Sequence, residues 1–167
     1  TISFTDEWGL EWVKRPNSYY FDRLTFFKVE SVSDVYNLKM PTSDTKSASW
    51  QAQIHHLKKE IEILKKENQY ARILDFGVAP LTMTQLFLGF EDSCVYLLLN
   101  PSILEALMEK VLEVHLMQAE SILSTVGDDV DVIYAFADDL GTQNSLWMSV
   151  EQYRRILKPF HKRIVDY

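Results

Sequence analysis

The stretch ILDFGVAPLT, residues 73–82, decides the fold of this chain of 167 residues. Its first six residues form a short apolar run with a glycine near the end, and a proline follows at position 80, after which apolar residues recur at helical spacing. This pattern predicts a strand, a tight loop and a helix. The run DVIYAF at 131–136 is a second short strand pattern, and it leads into the polar cluster ADDLGTQ at 137–143.

Helical patterns surround the two predicted strands. Asn100 is a helix cap with a proline after it, and the apolar stripe over 104–122 predicts a long helix that continues as far as Gly127. Apolar residues over 50–64 recur at spacings of three and four residues, which predicts an amphipathic helix. The segment is too short for a coiled coil, so we expect this helix to lie against a sheet.

A capping box predicts the last helix. Ser149 is followed three positions later by Gln152, which is the pattern of a helix N-terminus. Pro159 lies inside the helical pattern, and because proline has no amide hydrogen we expect it to kink the helix. The pattern runs to Tyr167 without a stop signal and Thr1 is not an initiator methionine, so we expect a piece of a longer chain.

The N-terminal region, residues 1–30, carries the pattern of a β-hairpin. The segments WGLEWV at 8–13 and YYFD at 19–22 are rich in aromatic and β-branched residues, and they flank the turn-like RPNS at 15–18. We therefore predict two antiparallel strands joined by this turn.

A change of composition separates the hairpin from the rest of the chain. Residues 31–49 are rich in Ser, Asp, Thr and Pro and are predicted to form a loop, with its least structured part at 40–44. Residues 50–167 hold the helix and the strand–helix units. Because the chain length suits one domain of ordinary size, we interpret residues 1–167 as one domain.

The alternation of strands and helices predicts an α/β fold with parallel strands. Right-handed crossovers then bring both strand carboxyl ends to one face, where ligands bind in such folds. A complete (β/α)8 barrel needs about 200 to 250 residues, so a barrel formed by this chain would be a partial one.

The composition excludes several classes of function. The 17 Lys and Arg residues against 24 Asp and Glu give a net charge of −7, which disfavours nucleic acid or an anionic membrane as partner. Cys94 is the only cysteine, so an internal disulfide and a thiolate-rich zinc site are excluded and a cytoplasmic location is expected. The longest apolar stretches fall far short of the roughly 18 residues of a membrane-spanning helix.

Two adjacent carboxylates, Asp138 and Asp139, follow the second predicted strand and are the strongest candidates for chemistry. Because side chains alternate along extended backbone, at most one of them enters a site. That one could act as a general acid or base, anchor a cationic group or bind a hard cation. The alternative is that Asp139 stabilises the loop through local hydrogen bonds while Asp138 is solvated.

The end of the first strand offers weaker candidates. Gly77 permits close backbone approach, and Pro80 and Thr82 open a helix whose free amides suit an anion, although a simple tight turn capped by Thr82 explains one glycine and one proline better. Asp75 lies inside the strand, where a carboxylate needs a partner or an open cavity.

The histidines carry less information. His115 lies on the apolar stripe of its helix, which favours a packing role. His161 has no obvious partner in the sequence, and His55 and His56 point to different sides of a helix without a ligand set around them.

Three segments in this order resemble the uroporphyrinogen decarboxylase (URO-D) superfamily, which also contains cobalamin-dependent methyltransferases. They are TDEWGLEW at 5–12, DFGVAPLT at 75–82 with GFE at 89–91, and DDLGTQ at 138–143, followed by SVEQY at 149–153 and KP at 158–159. The resemblance implies a partial (β/α)8 TIM barrel of the URO-D type with an N-terminal β-hairpin and a site at the strand carboxyl ends. It implies catalytic roles for Asp138 and Asp139, and a substrate pocket lined by Asp75, Gly77, Pro80, Thr82 and Gln143.

The resemblance also implies a function for the parent protein. The first expectation is corrinoid-linked methyl transfer, in which zinc and a corrinoid serve the full-length enzyme while no cofactor or metal is held within this chain. The alternatives are uroporphyrinogen decarboxylase itself, which needs no cofactor, and a non-catalytic half-barrel binding module. We expect a small-molecule or corrinoid-borne substrate, no activity of the 167-residue chain by itself, and a homo-oligomer.

Overall fold

The computed structural model describes residues 1–41, 45–67, 69–136 and 138–167. The elements in chain order are β1 (Ile2–Thr5), β2 (Glu11–Lys14), β3 (Asp22–Arg23), α1 (Val32–Asn37), α2 (Ala48–Glu67), β4 (Ile73–Val78), α3 (Pro80–Leu88), α4 (Phe90–Leu99), α5 (Pro101–Val126), a 3-10 turn (Gly127–Asp129), β5 (Val132–Phe136), α6 (Val150–Gln152), a π-helical turn (Tyr153–Leu157) and α7 (Lys158–Asp166).

The N-terminal hairpin is present between β2 and β3, and a third strand precedes it. β2 pairs antiparallel with both β1 and β3, and the amide of Ser18 donates to the carbonyl of Arg15 at 3.1 Å to close the predicted turn. Asn17 in that turn has φ of 64°, a conformation that Asn tolerates better than most residues. The strand β1 was missed because its residues lie outside the aromatic segments.

A tight turn replaces the first half of the predicted strand at 8–13. Gly9 has φ of 74°. The Asp6 carboxylate accepts from the backbone amides of Trp8 and Leu10, both at 2.9 Å, and from the indole Nε1 of Trp12 at 2.7 Å. Local hydrogen bonds of this kind favour a turn over extended backbone, and the strand therefore starts later than predicted.

Hydrogen bonds connect the segment that contains and follows β3 to helix α3. The backbone amide of Phe27 donates to the carbonyl of Phe87 at 2.8 Å, and Nε of Arg23 donates to the carbonyl of Leu86 at 3.1 Å. The chain leaves α3 through Gly89, whose φ of 91° is a conformation that residues with a side chain rarely adopt.

The segment 31–49 was predicted to be a loop, and this prediction is wrong for its ends. Ser31 and Asp34 form a reciprocal capping box that starts α1, and α2 begins at Ala48. Lys110 then donates to carbonyls at the end of α1, Leu38 among them at 2.8 Å. The least structured part was predicted at 40–44, of which 42–44 lie outside the described residues.

The two predicted strands form a parallel pair, β4 with β5, in the register Ile73↔Val132 to Val78↔Phe136. One face of the pair is covered by α5, whereas the other face, with Ile73, Asp75 and Tyr134, is exposed. The fold is therefore mixed α/β, as predicted, and the described residues contain no closed barrel.

The long helix α5 forms the centre of the core. Asn100 is its N-cap residue and Pro101 its first residue, as the sequence predicts. Its fully buried side chains pack against α3, α4 and the sheet; they are Ile103, Leu104, Leu107, Met108, Val111 and Leu112.

Helix α2 was predicted to lie against the sheet, but its main packing partner is α5. Nε1 of Trp50 donates to Oγ of Ser121 at 2.8 Å, and Ile61 is its buried residue. A sheet of two strands presents little apolar area, so this long helix finds more contact on another helix.

The predicted capping box at Ser149 and Gln152 starts the C-terminal helix. The predicted disturbance at Pro159 takes the form of a π-helical turn that ends just before it. Among the described residues, no helix combines the length and the apolar character needed to cross a bilayer.

Candidate functional site

The end of β5 and the start of α3 meet through Asp138. Parallel pairing sets the carboxyl ends of β4 and β5 side by side, and the chain after β5 turns Asp138 toward the first turn of α3. Its carboxylate accepts from the backbone amides of Thr82 at 2.8 Å and Leu81 at 3.3 Å. The N-cap residue Ala79 makes no side-chain bond, so the helix amides are satisfied by a carboxylate from another part of the chain.

A histidine from the C-terminal helix completes the surroundings of this carboxylate. Nε2 of His161 lies 2.8 Å from Oδ2 of Asp138, and the two side chains are 12% and 1% exposed. The Tyr153 hydroxyl lies 3.4 Å from Nδ1 of the same imidazole. An ionised carboxylate only accepts hydrogen bonds, which assigns the proton to Nε2 and leaves Nδ1 to accept from Tyr153.

An open cleft of about 500 Å³ lies beside this cluster. Its lining residues are Asp138, Leu140, Tyr153, Lys158, His161, Lys162, Val165 and Asp166. Lys162 forms an ion pair with Asp166, and the carboxylate of Asp138 is covered by its three donors. Lys158 therefore gives the cleft wall a capacity to bind an anionic group, whereas both ring nitrogens of His161 are already engaged.

Asp139 lies outside the cleft and shapes the loop. Its exposed carboxylate accepts from the amide of Gly141 at 3.1 Å, and its backbone carbonyl accepts from Nε1 of Trp147 at 2.9 Å. The expectation that at most one of the two aspartates turns inward agrees with this geometry. The alternative of a solvated Asp138 is wrong, because its side chain is buried.

The other candidates divide into two groups. Pro80 is buried in the first turn of α3 and Thr82 lies against Asp138 and Asp139, so these residues belong to the cluster. Asp75, Gly77 and Gln143 are all exposed and none of them lines the cleft.

These three positions follow from the local backbone. Asp75 and Gly77 lie on the open face of β4, next to a pairing irregularity that falls between Asp75 and Val78. Gln143 lies in the turn between the bridged residues Gly141 and Leu146.

Three side chains of the cleft were not among the predicted site residues: Tyr153, Lys158 and His161. Tyr153 and Lys158 do fall in the segments that carry the family resemblance. His161 lies 23 positions from Asp138, and only the packing of the C-terminal helix brings the two together. The one available signal was the capping box followed by Pro159, which marks an irregular helix after the second strand.

His115 has the packing role that its position in the stripe favours. Its Nδ1 lies 2.9 Å from the carbonyl of Val111, and its ring packs against Trp8 with a centroid distance of 5.3 Å and against Phe76 with one of 6.5 Å. Burial lowers the pKa of His115, although the hydrogen bond to Val111 and the charge of Asp138 act in the opposite direction.

The residues that the structure describes do not fit a zinc ion. In the part of the chain that the structure describes, no three His, Cys, Asp or Glu side chains come together. Burial raises the pKa of the Cys94 thiol, which disfavours the thiolate that zinc binds.

Comparison with known proteins identifies the family. The family model described as uroporphyrinogen decarboxylase (URO-D) matches residues 26–167, which is most of the chain. No curated protein and no solved structure matches the chain. The match contains β4, β5, Asp138 and the cleft-lining residues of α7. The chain therefore belongs to the uroporphyrinogen decarboxylase (URO-D) family.

Proposed function

We propose that this chain forms part of the substrate pocket of a URO-D-family decarboxylase that acts on a polycarboxylate substrate. In this proposal the parallel strands are a sector of a (β/α)8 barrel, and the pocket lies at their carboxyl ends. The observation that carries the proposal is the buried carboxylate of Asp138, which holds His161 at the wall of a cleft that also contains Lys158.

The chemistry of decarboxylation suits these groups. The bond between a side-chain carbon and its carboxylate breaks, carbon dioxide leaves, and the carbon takes up a proton with the electron pair. A substrate with several carboxylates needs cationic or hydrogen-bonding partners. Lys158 supplies one directly, and His161 supplies one only as imidazolium, when Nδ1 also carries a proton. An imidazole can also carry the proton that the carbon receives.

Asp138 serves this pocket indirectly in our proposal. Its two oxygens already accept from Leu81, Thr82 and His161, so they are not available to grip a substrate group. Asp138 instead orients His161, and Asp139 maintains the loop around it.

Corrinoid-linked methyl transfer, the first expectation from the sequence, places its zinc and corrinoid outside this chain, so the described residues do not bear on it. We rank decarboxylation first because Lys158 on the cleft wall suits a substrate carboxylate, and we make methyl transfer an outcome of the test.

The test is a binding titration of the purified chain with uroporphyrin III, followed by quenching of tryptophan fluorescence. We expect Lys158→Met to weaken binding about tenfold, the effect of one lost charge-assisted hydrogen bond of about 1.5 kcal/mol. Lys59→Met on the exposed surface of α2 makes the same change of charge and should leave the affinity unchanged.

Three outcomes overturn the proposal. One is the absence of uroporphyrin binding by the unmodified chain, and another is an equal loss in both lysine variants, which indicates general charge attraction. Binding of methylcobalamin in place of uroporphyrin is the third, and it favours the methyltransferase branch.

A further inference from the structure

The helix that carries His161 changes its winding just before Pro159. Residues Tyr153–Leu157 form a π-helical turn, in which the amide of Lys158 donates to the carbonyl of Tyr153, five residues earlier. Proline has no amide hydrogen and its ring clashes with the carbonyl four residues before it in a regular helix. The wider turn before Pro159 accommodates this proline within an otherwise continuous helix.

The π turn determines which side chains share a face. Tyr153 and His161 are eight positions apart, and in a regular α-helix this spacing leaves them about 80° out of alignment. A π turn contains an additional residue and removes most of that offset. The two rings accordingly lie with centroids 5.8 Å apart, and the hydroxyl reaches Nδ1 at 3.4 Å.

We propose that Asp138 and Tyr153 are positioning residues for His161: the carboxylate fixes the proton on Nε2, and the π turn places Tyr153 so that its hydroxyl donates to Nδ1. The role of the imidazole toward a substrate rests on the proposed function. The arrangement of the three side chains is a separate claim and can be measured without any substrate.

The contacts of Asp138 predict what an amide would do at the same position. Leu81 and Thr82 present backbone amides that need an acceptor. In Asp138→Asn the single amide oxygen would be drawn to these donors, and the NH₂ group would face His161. Nε2 must then accept, so the proton moves to Nδ1 and the bond from Tyr153 is lost. An analogous tautomer change is known from the Asp→Asn variant of the serine-protease triad.

The experiment is ¹⁵N NMR of the histidine ring nitrogens of the whole chain at alkaline pH, where imidazoles are neutral. His161→Gln identifies the resonances. We expect the protonated-nitrogen shift at Nε2 in the unmodified chain and at Nδ1 in Asp138→Asn. The matched control Asp139→Asn should keep the unmodified pattern, since the Asp139 carboxylate accepts from the amide of Gly141 in the exposed loop. Tyr153→Phe should keep the proton on Nε2 and shift the Nδ1 resonance.

A proton on Nδ1 in the unmodified chain, or the same tautomer in Asp138→Asn, overturns the proposal. The measurement on the unmodified chain and on Tyr153→Phe does not require Asp138→Asn to fold. Uroporphyrin titrations of the same samples test the proposed function separately: failure of the unmodified chain to bind overturns that function and leaves the tautomer result standing.

Discussion

The carboxylate of Asp138 accepts a hydrogen bond from the backbone amide of Thr82 at 2.8 Å, although the two residues are 56 positions apart. A loop residue after β5 therefore caps the helix that follows β4. This contact joins the two strand–helix units at the end where the cleft lies, so the same carboxylate serves both the stability of α3 and the orientation of His161.

Removal of this carboxylate should destabilise the fold. Asp138→Ala leaves two helix amides and Nε2 of His161 without their acceptor, and we expect a loss of about 2 to 3 kcal/mol in the free energy of unfolding. Asp139→Ala, at an exposed loop position, should cost less than about 1 kcal/mol. Urea unfolding of both variants measures the difference, and equal losses would contradict the capping role of Asp138.

The free energy of unfolding should decrease as the pH is lowered, because the buried imidazole of His115 resists protonation in the folded chain. Its pKa is lowered below the ordinary 6.5 by burial, so the unfolded chain binds the proton first as the pH falls. The contribution of the neutral imidazole is complete above pH 6.5 and is lost as the pH falls through the lower folded pKa. Urea midpoints at about pH 7.5 and about pH 5.5 should show a smaller decrease for His115→Phe than for the unmodified chain. Parallel decreases would contradict this assignment.

The carboxyl group of Asp131 should titrate with a pKa of about 2, because the side chain and backbone amide of Arg72 donate to it. Its contribution to stability is complete above the ordinary pKa of 3.8 and is lost as the pH falls through about 2. An NMR titration of the side-chain carbon should show the pKa return toward 3.8 in Arg72→Met. Arg163→Met, which removes a different ion pair, is the control and should leave Asp131 unchanged.

The core around α5 should be sensitive to small changes. Leu107 is fully buried, and Leu107→Ala should cost about 2 to 5 kcal/mol in the free energy of unfolding. The matched control is Leu99→Ala at the end of α4, where the side chain is 81% exposed and the cost should stay within about 0.5 kcal/mol. Similar losses in thermal or urea unfolding would show that the core is placed wrongly.

We expect the chain to self-associate through the open face of the parallel strand pair. Ile73, Val132 and Tyr134 expose apolar surface there, and parallel sheets are normally covered on both faces. Light scattering should give a mass above one chain of 19.5 kDa, and Tyr134→Glu should reduce it to one chain. Tyr19→Glu, a similar change at an exposed position between β2 and β3, should not. A single-chain mass of the unmodified protein at micromolar concentration would contradict the expectation.

The sequence predicts the elements whose signals are local. The apolar runs of β4 and β5, the Asn-Pro start of α5 and the capping box at Ser149 all act within a few residues, and each is found where the pattern indicates. The inward turn of one aspartate also follows from the alternation of side chains along the chain.

Features that depend on distant contacts could not be predicted in this way. His161 gains its role from Asp138, and the face on which Tyr153 lies depends on the winding of the helix before Pro159. The choice of α5 over the sheet as the partner of α2 depends on how much apolar area each offers once folded. The short helix α1 was missed for another reason, since its serine and aspartate suit loops and helix caps equally.

Helix α3 is held at both ends by hydrogen bonds from distant parts of the chain. The Asp138 carboxylate accepts from its first amides, whereas Phe27 and Arg23 donate to the carbonyls of its last turn, about 8 Å further along the helix. A hydrogen-bonded helix of this length is stiff. A displacement of the loop beside the cleft should therefore be transmitted through α3 to the N-terminal sheet.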